Sequence, residues 1–147
     1  MTNQNFDNLK LESQLCFPLY AASKEIVKRY RPYLEDLNLT YTQYIAMMAL
    51  WEHKRLNVKE LGEKLYLDSG TLTPVLKSLE AKGYVLRERS TRDERVLNVE
   101  LTKRGAALRE KARRVPDEVF NSIRLSTDES KTLYSLLYKL LAGMETE

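Results

Sequence analysis

Only one sulfur nucleophile stands in this chain of 147 residues: Cys16, in the stretch ESQLCFPLY. A cysteine thiolate can attack a peroxide, exchange with a disulfide or bind a soft metal. A single cysteine closes no internal disulfide, and His53 is the only histidine, so a Cys/His structural metal site lacks ligands. Two readings of Cys16 remain: an inert core residue, the commoner fate of cysteine, or a redox-active thiol. A second concentration of chemistry lies in KGYVLRERSTRDER, Lys82 to Arg95, with five basic and three acidic residues. Arg87, Arg89, Arg92 and Arg95 fall within nine positions of it. Such a run is ordinarily a solvated turn. On a protruding hairpin it is a surface for phosphates or a nucleic-acid groove.

The bulk composition permits either chemistry. With 43% hydrophobic and 31% charged residues, the chain reads as one ordinary globular domain. The net charge of +3 allows a polyanionic partner without requiring one. No stretch approaches the roughly 20 apolar residues of a membrane span, and the first residues, MTNQNFDNLKLESQ, lack the features of a signal peptide. The expected location is the cytoplasm, with no membrane partner.

The elements that must position these residues are mostly helical. TYTQ, NVKE and STDE place Thr40, Asn57 and Ser126 three residues before Gln43, Glu60 and Glu129, the spacing of capping boxes. The apolar run Ile45, Ala46, Met47, Met48, Leu50 and Trp51 predicts a heavily buried helix. Val58, Leu61 and Leu65 share one face of a short helix over 57–65. After YLDSG, the positions Leu72, Val75, Leu76 and Leu79 share a face of a second helix, opposite Thr71, Thr73, Lys77 and Ser78. Two short amphipathic helices with a tight connection predict a helix-turn-helix. Gly83 ends the second. Then YVLRER, the polar STRDER and VLNVELT predict a β-hairpin with a basic tip. The whole is a winged helix: mainly α with a small β-hairpin wing. Thr102 caps a further helix, kinked at Pro116. A last helix over about 128–143 carries Leu133, Leu136, Leu137, Leu140 and Leu141. The terminal helices exceed what one reading unit needs to bury, which predicts a homodimer reading two half-sites about 34–36 Å apart. Pro18 inside the first helix should kink or restart it.

On these residues the sequence resembles the MarR family of winged-helix repressors over almost its whole length. RDERVLNVELTKRG is similar to the family's wing signature, and LDSGTLTPVLKSLEAKGYVLR to its recognition helix and first wing strand. LESQLCFPLYAASKEIVKRYRPYLEDLNLTYTQY resembles the single-cysteine, organic-hydroperoxide-sensing group. The resemblance implies a single domain over 1–147, with a DNA-binding lobe at 57–101 and dimerisation helices at 8–37 and 103–145. It starts the recognition helix near Ser69, whereas Thr73 followed by Pro74 reads blindly as a cap and first residue; an irregular first turn reconciles them. It implies that Cys16 is hydrogen-bonded by two tyrosines, Tyr30 and Tyr41. One comes from the same region as the cysteine and one from the start of the next helix, contributed by the partner subunit. Tyr20 would line the same pocket. Without the resemblance these tyrosines stand out from the other six in no way, and most tyrosines simply pack their rings.

The implied chemistry is oxidation of Cys16 to a sulfenic acid, followed by a mixed disulfide with a low-molecular-weight thiol, a sulfenamide, or overoxidation. Hydroxyls aimed at the sulfur would favour its anionic form. Asp93 and Arg95 form the wing's Asp–Arg hallmark, with Arg95 directed at an AT-rich minor groove of a pseudo-palindromic operator. Arg87 and Arg92 would touch phosphates or stay solvated. On the recognition helix Ser69, Thr71, Thr73 and Lys77 are the polar contacts, and Asp68 caps the helix or accepts from a cytosine amine. No cofactor and no metal are expected. Three other readings compete: the same fold answering a phenolic ligand or broader oxidative signals, a thiol peroxidase, and a non-DNA-binding adaptor. The peroxidase has no resolving cysteine and leaves the basic wing unexplained. The adaptor predicts equally weak binding to every duplex.

Overall fold

A computed structural model describes residues 6–145. Two 3-10 turns, Phe6–Leu9 and Leu11–Ser13, lead into α1 (Cys16–Glu35), α2 (Tyr41–His53), β1 (Arg55–Asn57), α3 (Val58–Leu65) and α4 (Ser69–Ala81). Strands β2 (Val85–Arg89) and β3 (Leu97–Leu101) follow, then α5 (Lys103–Ala112), α6 (Val115–Ser122) and α7 (Thr127–Met144). The chain divides into two compact units, the first running to Val115 and the second starting at Pro116. Among the described residues no helix is long and apolar enough to cross a membrane.

The core of the first unit is built from one face of each of its inner elements. Met47 and Leu50 of α2, Leu61 of α3, Leu72, Leu76 and Leu79 of α4, Val85 of β2 and Val99 of β3 are all fully buried. Each is worth roughly 1.5–3 kcal/mol of apolar burial. The three capping boxes form as the spacing predicts, at Thr40/Gln43, Asn57/Glu60 and Ser126/Glu129. Each satisfies amides that a helix start otherwise leaves without a partner.

Between α3 and α4 the chain turns sharply at Tyr66, in the left-handed region at φ 55. Gly62 lets this turn close: a Cβ there would lie 2.7 Å from the Leu67 carbonyl oxygen. Asp68 caps α4, its carboxylate accepting from the Thr71 amide at 2.7 Å. The helix starts at Ser69 and is regular through its first turn, so no irregularity is needed to seat Pro74. At the other end Gly83 adopts φ 82. Its amide and that of Tyr84 donate to the Glu80 and Leu79 carbonyls at 2.9 and 3.0 Å, closing the helix with a left-handed glycine.

The hairpin forms as the sequence predicts, with Val85 opposite Leu101 and Arg89 opposite Leu97. The sheet has a third strand that the sequence reading omits. The strand β1 pairs antiparallel with β3, Leu56 opposite Val99, giving the order β1-β3-β2. Three residues are too few to display alternation.

Two proline expectations change. Pro18 is the third residue of α1, where an amide has no intrahelical acceptor, so it removes no bond and starts rather than kinks the helix. The interior proline is Pro32. Pro116 does not kink one long helix: α5 ends at Ala112 and α6 begins at Val115. The expected helical span at 8–37 likewise narrows, since α1 begins only at Cys16.

In the second unit, α7 buries none of its residues. Leu133, Leu136 and Leu140 are exposed, as are Tyr134 and Tyr138, whose rings lie 4.7 Å apart. Leu11, Leu15, Phe17, Leu19 and Tyr20 are likewise exposed at and before the start of α1.

Candidate functional site

Cys16 is the first residue of α1 and its side chain is exposed. The preceding Leu15 supplies no side-chain cap to this helix start. Tyr20 lies one helical turn further on the same face, 61% exposed, with the Lys24 ammonium 5.2 Å from its ring centre. A recess of about 440 Å³ lined by Lys10, Leu11, Glu12 and Phe17 opens next to this segment.

Tyr30 and Tyr41 are brought together, but not around Cys16. Their ring centres are 5.0 Å apart, and Tyr44 completes a triangle at 5.6 and 6.3 Å. Tyr30 sits fourteen residues beyond Cys16 on the same helix, which at the α-helical rise is about 21 Å. One straight helix cannot bring both to one sulfur. Burial pushes the Tyr30 and Tyr41 hydroxyls above the ordinary tyrosine range, with Tyr30 adding to the effect on Tyr41. Burial first, then Tyr30 and Tyr41, push Tyr44 up to about 12. All three therefore remain protonated donors. Tyr44 and its contact to Trp51, at 6.5 Å edge-on, were not singled out from the sequence. The Trp51 indole donates to the Gly105 carbonyl at 2.9 Å, tying α2 to α5.

At the wing, Asp93 and Arg95 pair as expected. The Arg95 Nε and Nη2 donate to the two Asp93 oxygens at 3.1 and 3.2 Å, and the Arg95 amide adds a bond at 3.0 Å. These bonds hold the Asp93 carboxyl below the usual carboxylate range, the Arg95 guanidinium being the main cause. Arg95 remains 90% exposed at the hairpin tip. Arg92 is exposed beside it, its amide bonded to the Ser90 hydroxyl at 3.2 Å. Arg89 folds back onto the Glu94 carbonyl at 3.0 Å.

Arg87 is engaged mainly within the fold. Its Nε and Nη2 donate to Glu80 at 3.3 and 3.1 Å, its amide donates to the other Glu80 oxygen at 3.1 Å, and its side chain is only 20% exposed. Arg87 thus staples β2 to α4.

On α4, Ser69, Thr71 and Lys77 are exposed and Thr73 is half-buried. The Thr73 hydroxyl donates to the Ser69 carbonyl at 2.7 Å. Asp68 is occupied as the cap, its carboxyl lowered chiefly by the Thr71 amide. Among the described residues no group of three His, Cys, Asp or Glu side chains is placed to hold a metal ion.

A helix-turn-helix whose second helix is stapled to a charged antiparallel wing defines a winged-helix regulator. The family profile described as transcriptional regulator SarA/Rot matches residues 26–112. The chain is 52% identical over 136 residues to the organic hydroperoxide resistance transcriptional regulator of Bacillus subtilis (strain 168), covering 92% of each. It is 47% identical over 131 residues to the HTH-type transcriptional regulator SarZ of Staphylococcus aureus (strain MRSA252), covering 89% of this chain and 88% of that one. Its fold matches reduced AbfR bound to DNA, a Staphylococcus epidermidis protein, with a TM-score of 0.76 and 34% identity over 94% of this chain and 96% of that one. The chain belongs to the MarR family of winged-helix transcriptional regulators, in its single-cysteine group. Its relatives are regulators rather than catalysts, which removes the peroxidase reading of Cys16.

Proposed function

We propose that the protein is a homodimeric repressor that binds a pseudo-palindromic, AT-rich operator and releases it when an organic hydroperoxide oxidises Cys16. The observation that carries this reading is the exposure of Cys16 at the first residue of α1. Cys16 therefore takes no part in packing the core of its own chain. The Cys16 thiolate attacks one peroxide oxygen, the O–O bond breaks, and the other oxygen leaves as the alcohol after taking a proton. The sulfenic acid then condenses with a low-molecular-weight thiol, releasing water and leaving a mixed disulfide.

The tyrosines reach the sulfur from a second subunit. Positions 16 and 30 share one face of α1, because fourteen residues make about 3.9 turns. Two copies of α1 crossing antiparallel near Ser23 would set Cys16 of each against Tyr30 of the other, with Tyr41 beside it. The apolar start of α1 supplies further surface for such a dimer, and the exposed leucines of α7 are by themselves an apolar face that a second copy can cover. Each operator half-site is met by Ser69, Thr71, Thr73 and Lys77 of α4, with Arg92 near the backbone and Arg95 in the minor groove, held by Asp93. Asp68 and Arg87 act from behind, as cap and staple.

The test is a titration of the protein against an operator duplex at fixed salt, before and after an organic hydroperoxide plus a small thiol. The wild type should lose affinity by about 5–150-fold. Cys16→Ser should bind as the reduced wild type does and ignore the oxidant. An arm with hydrogen peroxide instead of the organic peroxide reads selectivity. Release by Cys16→Ser, or retention by the oxidised wild type, would sink the sensor reading.

A further inference from the structure

Between the tyrosine triangle and α4 lies a polar network that neither the thiol pocket nor DNA contact uses. Gln43 is the one polar residue in the buried core of the described chain, 6% exposed. Its Oε1 accepts from the Thr40 amide at 3.1 Å and from the Lys82 ammonium at 2.8 Å. Its Nε2 donates to the Ser78 hydroxyl of α4 at 2.9 Å. Lys82, the residue that ends α4, also donates to the Asn38 carbonyl at 2.6 Å. Asn38 occupies the left-handed region at φ 56, in the turn between α1 and α2. One residue earlier, the Leu37 carbonyl accepts from the Tyr84 hydroxyl at 3.4 Å. The corner over 37–44 is therefore fastened to the end of α4 and the following residues by four side-chain hydrogen bonds.

That corner carries two of the three clustered tyrosines. Tyr41 lies between Asn38 and Gln43, and Tyr44 follows Gln43 directly. Desolvation lowers the Lys82 ammonium from its ordinary value, and a buried amide left without partners costs about 1–3 kcal/mol. Neither group would be kept here for packing alone.

We infer that Gln43, Ser78 and Lys82 form a mechanical relay that passes displacement of Tyr41 to α4, so that oxidation at Cys16 shifts the reading helix as one body. The inference rests on the proposed reading of Cys16 as the sensor and names the route by which that sensor acts. The corner is bonded to Ser78 within α4 and to Lys82 at its C-terminal cap, so the two cannot separate without breaking those bonds.

The experiment compares operator affinity of reduced and oxidised protein for the wild type, Ser78→Ala, Lys82→Met, the double variant and Gln43→Glu. Cys16 oxidation is followed separately by trapping the sulfenic acid, and folding by the melting transition. In the double variant Cys16 should oxidise at the wild-type rate, while the reduced-to-oxidised affinity ratio falls to within about twofold from the wild-type range of about 5–150-fold. Ser78→Ala removes a single hydroxyl, so it stays folded and should fall between. Gln43→Glu keeps an acceptor for Thr40 and Lys82 and can accept from the Ser78 hydroxyl, so it should retain the wild-type ratio. Equal weakening of both states, with the ratio unchanged in every variant, would overturn the relay and leave the sensor standing. A wild type that itself shows no change on oxidation would overturn both.

Discussion

At the scale of single residues, the wing tip shows how little chemistry sets a contact. Arg95 is a long, exposed side chain that would sample many rotamers on its own. The bidentate pair with Asp93 fixes its plane without reducing its exposure. An exposed pair of this kind adds little to folding stability; on the proposed reading its effect falls on operator binding. Asp93→Ala should leave the melting temperature unchanged and weaken operator binding several-fold. Arg95→Ala should weaken it further and reduce the salt dependence by about one ion, read from the slope of affinity against salt. Because the Asp93 carboxyl is depressed, the pair persists as pH falls through the ordinary carboxylate range and is lost only when pH falls through the lower, folded-state value.

At the scale of elements, the positions that matter are where helices meet the sheet. The start of α5 is pressed against the beginning of the hairpin: a Cβ on Gly105 would overlap the Tyr84 carbonyl oxygen. The Gly105 amide is held by Thr102, whose hydroxyl also donates to Gly83 at 2.6 Å, and the Gly105 carbonyl takes the Trp51 indole. One small residue thus joins α2, the end of α4, β2 and α5. Gly105→Ala should destabilise the protein by about 1–3 kcal/mol, measured by denaturant unfolding. Tyr84→Ala leaves its carbonyl in place and would not relieve that clash. The wing signature ends on Gly105, but its sequence does not say why a glycine is needed there, because the crowding atom lies twenty-one residues away. Pro18 and Pro74 show the same limit from the other side. Their effect depends on their position within a helix, and that depends on where the helix starts. In α1 the start moved to Cys16, and in α4 it fell at Ser69.

For the whole molecule, the tyrosine cluster around the buried Tyr44 bears on stability at high pH. Tyr44 is 2% exposed and its hydroxyl is raised from 10.0 to about 12. A raised folded-state value means that the folded form holds its proton more tightly. That contribution is complete below pH of about 10 and is lost as pH rises to about 12. Unfolding free energy should fall by on the order of 2–3 kcal/mol across that window, followed by denaturant titration alongside tyrosinate absorbance. Tyr44→Phe should flatten part of the decline, since Tyr30 and Tyr41 shift in the same direction.

The sequence by itself determined the local grammar of this protein. Capping spacings, apolar stripes, the terminating Gly83 and the polar hairpin tip all act over three to seven residues, so the helix-turn-helix and wing were legible from their own segments. The residues that resemble a single-cysteine MarR regulator named Cys16, Asp93 and Arg95. What the tertiary structure alone decided lies at long separation. It placed Arg87 against Glu80, added β1 to the sheet, gathered Tyr30, Tyr41 and Tyr44, and tied Gln43 to Ser78 and Lys82. The separation of about 21 Å between Cys16 and Tyr30 follows from fourteen residues of helical rise, but only the structure shows one unbroken helix running from one to the other. A charged or polar side chain carries no sign of which distant partner will satisfy it; only the packing that buries it selects that partner.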